Sequence, residues 1–125
     1  MKALLLVAHG SRREASNDEV RKLTDCLRRQ SGQRFGDVRC AFLELADPSI
    51  PDGIEQCIEA GAAEVVVVPY FLSAGRHVVQ DIPEQVALKQ KQYPDRDIQI
   101  VDYLGTAPGL VDTLLGLATA PEGSA

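Results

Sequence analysis

Glu64-Val65-Val66-Val67-Val68-Pro69-Tyr70-Phe71 is the stretch on which the fold turns. Four consecutive valines show no polar alternation, so both faces of the segment need cover. That is the pattern of a central strand in a parallel sheet, where β-branched side chains pack on both sides. Lys2-Ala3-Leu4-Leu5-Leu6-Val7-Ala8 has the same character. Between the two, residues 15–30 are polar, with Val20, Leu23 and Leu27 at helical spacing. Gly32 and Gly36 punctuate the turn that follows, and residues 38–45 read as a second strand. Ser49-x-x-Asp52 has the form of a capping box and opens a helix that runs to Ala60 before Gly61 stops it.

Beyond the valine strand, residues 72–80 read as a longer loop. Asp81-Ile82-Pro83 then opens a helix, with proline tolerated in the first turn, and that helix ends near Tyr93-Pro94. Residues 98–103 read as a fourth strand. Thr106 can cap a last helix of about a dozen residues, and residues 121–125 read as a disordered tail. The strict alternation of strand and helix predicts one α/β domain over residues 1–120. Right-handed crossovers leave few topologies, and the favoured one is a four-stranded parallel sheet of order 2-1-3-4 flanked by helices on both faces.

Bulk properties narrow the function. The chain has 125 residues, enough for one core, with 45% hydrophobic and 25% charged residues. Its net charge of −5 argues against a general nucleic-acid binder. No apolar run approaches membrane-spanning length. The apolar start stops at His9-Gly10 without a small-residue cleavage pattern, so a buried first strand explains it better than a signal peptide. Cys26, Cys40 and Cys57 are odd in number and widely spaced. They read as buried thiols in a reducing compartment, so a cytoplasmic location is expected.

Ligands of open α/β sheets bind beyond the carboxyl ends of the strands, near the point where strand order reverses. His9 ends strand 1, Glu44 lies near the end of strand 2, and His77 lies in the loop after strand 3. These are the two histidines of the chain, and both fall on one edge. Each has a plainer explanation. Gly10 and Ser11 suit a turn and a helix cap, His77 suits an exposed loop position paired to Asp81, and Glu44 suits a solvated strand end. The coincidence of two imidazoles on the ligand-binding edge favours chemistry. Neutral imidazole binds first-row divalent metals, and two of them leave coordination positions open for a metal in transit. Asp81 reads as a helix cap in preference to a partner of a metal ligand. Arg12 and Arg13 flank one histidine and Arg76 the other, a local basic rim suited to carboxylates. There is no G-x-S-x-G, no G-x-G-x-x-G and no Walker sequence, so Ser11 as a nucleophile and phosphate cradling are both weak readings.

Three blocks of the sequence resemble the short form of the CbiX/SirB sirohydrochlorin chelatases. They are Leu5-Leu6-Val7-Ala8-His9-Gly10-Ser11-Arg12 with Asn17 and Glu19, then Ala41-Phe42-Leu43-Glu44-Leu45-Ala46-Asp47-Pro48-Ser49-Ile50, then Val67-Val68-Pro69-Tyr70-Phe71-Leu72-Ser73-Ala74-Gly75-Arg76-His77 with Asp81-Ile82-Pro83. The resemblance implies a chelatase-like half-unit that pairs as a homodimer. It implies insertion of Co2+ or Fe2+ into sirohydrochlorin, an anionic tetrapyrrole, in cobalamin or sirohaem biosynthesis. Ni2+ is also admitted, and no organic cofactor is. It implies that His9 binds metal and accepts a proton, that His77 is the second metal ligand, and that Glu44 acts in catalysis or contacts substrate. The loop Leu72, Ser73, Ala74, Gly75 and Arg76 would match substrate-contact positions, and Ser11, Arg12 and Arg13 are expected to contact substrate beside it. Ala8 stands where glycine is common, and the tail lacks the His- or Cys-rich extension of some relatives.

The rival reading of the same residues is a metal or porphyrinoid carrier without turnover. A receiver-type signalling module would need clustered acids where Val7-Ala8-His9-Gly10 stands. A flavodoxin-like module would need a Ser/Thr-rich first loop, and a histidine phosphatase would need an arginine before His9-Gly10.

Overall fold

The computed structural model describes residues 1–119, so the tail expected at 121–125 lies outside the described residues. Four parallel strands form one sheet in the order β2-β1-β3-β4, as expected. They are β1 (Lys2–Ala8), β2 (Asp37–Phe42), β3 (Glu64–Pro69) and β4 (Asp97–Ile100). Helices α1 (Glu14–Ser31), α2 (Ile50–Glu59), α3 (Ile82–Gln92) and α4 (Leu110–Thr119) connect or follow them.

The apolar strands are explained by their cover. The odd-numbered side chains Ala3, Leu5, Val7, Val65 and Val67 are fully buried against Ile50, Ile54 and Cys57 of α2 and Ile82 and Val86 of α3. On the opposite face α1 covers only part of the sheet. Leu4, Leu6 and Val68 line an apolar groove with Leu23 and Leu27 of α1, and with Tyr70 and Leu104. Helix α4 has no buried residue.

The second helix opens as its sequence requires. The Ser49 hydroxyl accepts the backbone N–H of Asp52 at 3.2 Å, satisfying one free donor of the first turn. Gly61 then leaves the helix at φ 109, a conformation costly for any other residue.

Five expectations need correction. Strand β2 ends at Phe42, three residues early, because its edge is taken by the returning chain, with Phe42 N–H donating to Pro48 C=O at 2.8 Å. The loop expected over 72–80 becomes a π-helical turn from His77 to Asp81 that runs into α3. The turn is closed by Ile82 N–H on His77 C=O, five residues back. Strand β4 stops at Ile100, and Thr106 does not cap α4. Its hydroxyl donates to Tyr103 C=O at 2.7 Å within a short 3₁₀ turn.

The fifth correction concerns the thiols. Cys57 is buried, whereas Cys26 and Cys40 are only half-buried. Burial pushes the Cys57 thiol up to about 12, with the nearby Asp37 carboxylate adding to the effect. Since thiolate is the reactive form, Cys57 should resist alkylation at neutral pH until the protein unfolds. The unfolded thiol ionises near 9.0 and the folded one near 12, so its contribution to stability is full below pH 9 and is lost between those values. Urea midpoints from pH 8 to 11 for the protein and Cys57→Ala should converge as pH rises; parallel curves would refute this.

Candidate functional site

The site is assembled by the end of β1. Its last carbonyls are held from both sides. Leu43 N–H donates to Ala8 C=O at 2.9 Å, Glu44 N–H to His9 C=O at 3.0 Å, and Tyr70 N–H to Val7 C=O at 2.8 Å. The chain after β2 therefore runs beside His9-Gly10, past the end of the regular strand. Gly10, at φ 94, packs flat on the Glu44 carbonyl. Leu45 follows at φ 66, an uncommon conformation for a bulky residue, and swings the chain away directly after Glu44.

Those constraints bring the three expected residues together. The His9 and His77 rings lie 4.7 Å apart between centroids, tilted by 50°. His9 Nε2 is 4.0 Å from Glu44 Oε2, too far for a hydrogen bond but within ion-pair reach. All three side chains remain open to solvent, at 46%, 43% and 49% exposure for His9, His77 and Glu44, so a ligand can reach them. An imidazole nitrogen sits about 2.0–2.1 Å from a bound first-row divalent ion, which puts each ring centre about 3.2 Å away. Two rings on one ion can then be separated by up to about 6.4 Å, and the observed 4.7 Å falls inside that limit.

The other expected positions divide. Arg12, Arg13 and Arg76 are exposed, and among the described residues none of them has an ion-pair partner. By contrast, Arg21, Arg28, Arg39 and Arg96 are each paired to a carboxylate. Leu72, Ser73, Ala74 and Gly75 form an exposed loop leading to His77. Its base is pinned where Gly105 N–H donates to Phe71 C=O at 3.0 Å, and a Cβ on Gly105 would meet Leu72 C=O at 2.0 Å. Ser11 is not the helix cap. Arg13 holds that position without a side-chain cap, and the Ser11 hydroxyl instead accepts Arg13 N–H at 3.0 Å.

Two residues carry more than sequence reasoning assigned. Asp81 makes no cap hydrogen bond to α3; its carboxylate lies 2.8 Å from His77 Nδ1. The cap reading is overturned because the π turn carries the helix through Asp81, leaving no open first turn there. Asn17, almost fully buried, accepts Ser11 N–H at 2.9 Å and donates to Ser11 C=O at 2.8 Å. It thereby ties the loop after His9 to α1. A buried Asn on a polar helix gives no periodic signal, so the role is visible only in space. Asn17→Ala should cost about 1–3 kcal/mol, because Ser11 loses both backbone partners. Urea unfolding measures this, and an unchanged midpoint would sink it.

The comparisons decide the family. The CbiX family model matches residues 3–119. The chain belongs to the CbiX family. It is 38% identical to the chloroplastic sirohydrochlorin ferrochelatase of Arabidopsis thaliana over 84% of its own length and 44% of that protein. It is 38% identical to a sirohydrochlorin cobaltochelatase of Methanocaldococcus jannaschii over 70% of its length and 60% of that protein. This CbiX chain thus spans less than two thirds of these relatives. A structure of SirB from Bacillus subtilis subspecies spizizenii in complex with cobalt superimposes with a TM-score of 0.83 at 28% identity, covering 96% of this chain and 50% of that one. A CbiX protein from Marinobacter aquaeolei matches along 100% of both chains with a TM-score of 0.83, and at 23% identity it shows the fold alone.

Proposed function

We propose that this CbiX chain inserts a divalent metal, Co2+ or Fe2+ with Ni2+ also admitted, into sirohydrochlorin. The observation that carries the reading is the pair of imidazoles, 4.7 Å apart, at the open edge of the sheet beside a carboxylate. His9 and His77 hold the partly desolvated ion. The macrocycle approaches with its pyrrole N–H groups facing the ion. The four ring nitrogens bind the metal as its bonds to His9 and His77 break, two pyrrole N–H bonds are lost, and the metal keeps its oxidation state. His9, released from the ion, accepts one proton, and Glu44 takes the second or passes protons to solvent. The unpaired Arg12, Arg13 and Arg76 draw the carboxylates of the substrate toward the edge, with Ser11 and the loop of Leu72, Ser73, Ala74 and Gly75 against the macrocycle. This scheme needs no organic cofactor.

In this reading residues 1–120 form one chelatase unit, and a second copy completes the enclosure of a large flat substrate. The exposed Val111, Leu114, Leu115 and Leu117 of α4 support a homodimer. Sedimentation equilibrium should show twice the chain mass; a monomer at assay concentration excludes it. No helix among the described residues is long and apolar enough to cross a membrane. Three free thiols fit the reducing cytoplasm.

The test is spectrophotometric insertion into sirohydrochlorin with Co2+, Fe2+ or Ni2+ at limiting protein, against protein-free controls. Many turnovers per chain are expected, with the preferred ion marking the pathway. Stoichiometric binding without turnover would turn the reading into a carrier.

A further inference from the structure

We propose that Asp81 is a positioning residue for metal capture, accepting the Nδ1–H of His77 so that the ring presents an unprotonated Nε2 to the ion. The inference rests on the reading of His77 as a metal ligand. A neutral imidazole carries its proton on one nitrogen or the other, and the nitrogen left bare is set by the hydrogen bond the other makes. The His77 Nδ1 to Asp81 Oδ2 distance of 2.8 Å is that of a full hydrogen bond.

Three features favour this role over an incidental surface pair. The carboxylate has no competing use: it makes no helix cap, and His77 is its one ion-pair partner among the described residues. Its position is built in, because His77 and Asp81 are the first and last residues of the π-helical turn. That turn is closed by Ile82 N–H donating to His77 C=O. Finally, the Asp81 side chain is less exposed than the imidazole it holds, 29% against 43%. A carboxylate so placed fixes both the tautomer and the angle of a metal-binding imidazole.

The experiment compares the wild-type protein with His77→Ala, Asp81→Ala, Asp81→Asn and the double variant His77→Ala/Asp81→Ala. Two-bond 15N–1H correlation spectra of the metal-free protein, under mildly alkaline conditions, report the His77 tautomer. Calorimetric titration with Co2+ reports affinity, and thermal unfolding checks the fold. The wild type should show the Nδ1–H form, and Asp81→Ala should move toward the Nε2–H form. Its Co2+ dissociation constant should rise about 10–100-fold. Asp81→Asn, whose amide oxygen still accepts, should fall between and keeps the test open if the alanine variant does not fold. The double variant should bind no more weakly than His77→Ala, because Asp81 acts through His77. An Nε2–H tautomer in the wild type, wild-type affinity in Asp81→Ala, or losses that add in the double variant would each overturn the proposal. Failure of the underlying ligand assignment looks different: His77→Ala itself would bind Co2+ as tightly as wild type, and the positioning role would fall with it.

Discussion

His9→Ala should lower the rate of metal insertion by at least about 10²-fold at saturating Co2+ and sirohydrochlorin, since removing a positioned proton acceptor typically forfeits 10²–10⁴. The size of the effect follows from the geometry. His9 is the group that touches both partners of the site: its ring is 4.7 Å from that of His77, and its Nε2 is 4.0 Å from the Glu44 carboxylate. On the proposed assignment, His77→Ala removes a metal ligand without removing the acceptor. It should therefore raise the metal concentration needed for half-maximal rate more than it lowers the maximum. The side chain of His9 is half exposed at a strand end, so its truncation leaves the core intact, and the unfolding midpoint should stay near wild type. Steady-state rates across a Co2+ series separate the two variants. Insertion at the wild-type rate by both would remove the catalytic mechanism altogether.

Gly10→Ala should destabilise the fold by roughly 2–6 kcal/mol, adding backbone strain to overpacking, and should depress insertion in whatever folded protein remains. The residue sits at φ 94, and an added Cβ would lie 1.7 Å from the carbonyl oxygen of Glu44. That oxygen cannot simply withdraw. Glu44 N–H is bonded to His9 C=O, and Leu43 N–H to Ala8 C=O, so displacing one segment breaks the pairing that sets His9 beside Glu44. Gly32→Ala is the control. Gly32 also has a positive φ, 59, at ψ −126, but no atom lies within 4 Å of its added Cβ, so only a backbone cost of roughly 1–3 kcal/mol applies. Urea unfolding of the two variants, followed by insertion assays on the folded fraction, tests the contrast. Equal losses at Gly10 and Gly32 would show that the contact with Glu44 has no special weight.

The layers of the molecule were legible in its residues to different depths. The order β2-β1-β3-β4 follows from runs such as Val65-Val66-Val67-Val68 and from the handedness of crossovers, both of which are local or general constraints. The Ser49 cap and the Gly61 stop were legible for the same reason, since each acts within one turn of chain. Where an element is ended by a distant partner, local pattern misleads. Leu43-Glu44-Leu45 continues an apolar alternation, yet the strand stops at Phe42 because Pro48 returns to claim its N–H. The sequence 77–81 has no helical periodicity of its own and reads as loop, yet it is helical, closed by Ile82 N–H on His77 C=O as the turn runs into α3.

The same division runs through the site. Residue type and chain position were enough to set two histidines and a carboxylate on the carboxyl edge of a parallel sheet, because strand direction fixes which end each side chain reaches. Tertiary structure alone supplied the distances among them. It joined Asp81 to His77, leaving the helix cap unmade, and it buried Asn17 against Ser11 to hold the loop after His9. Hydrogen-bond partners separated by several turns of chain are chosen by how backbones pack. No pattern in the residues records that choice, since a carboxylate or an amide satisfies a cap, a solvent shell or an imidazole equally well until the folded chain brings one of them within 3 Å.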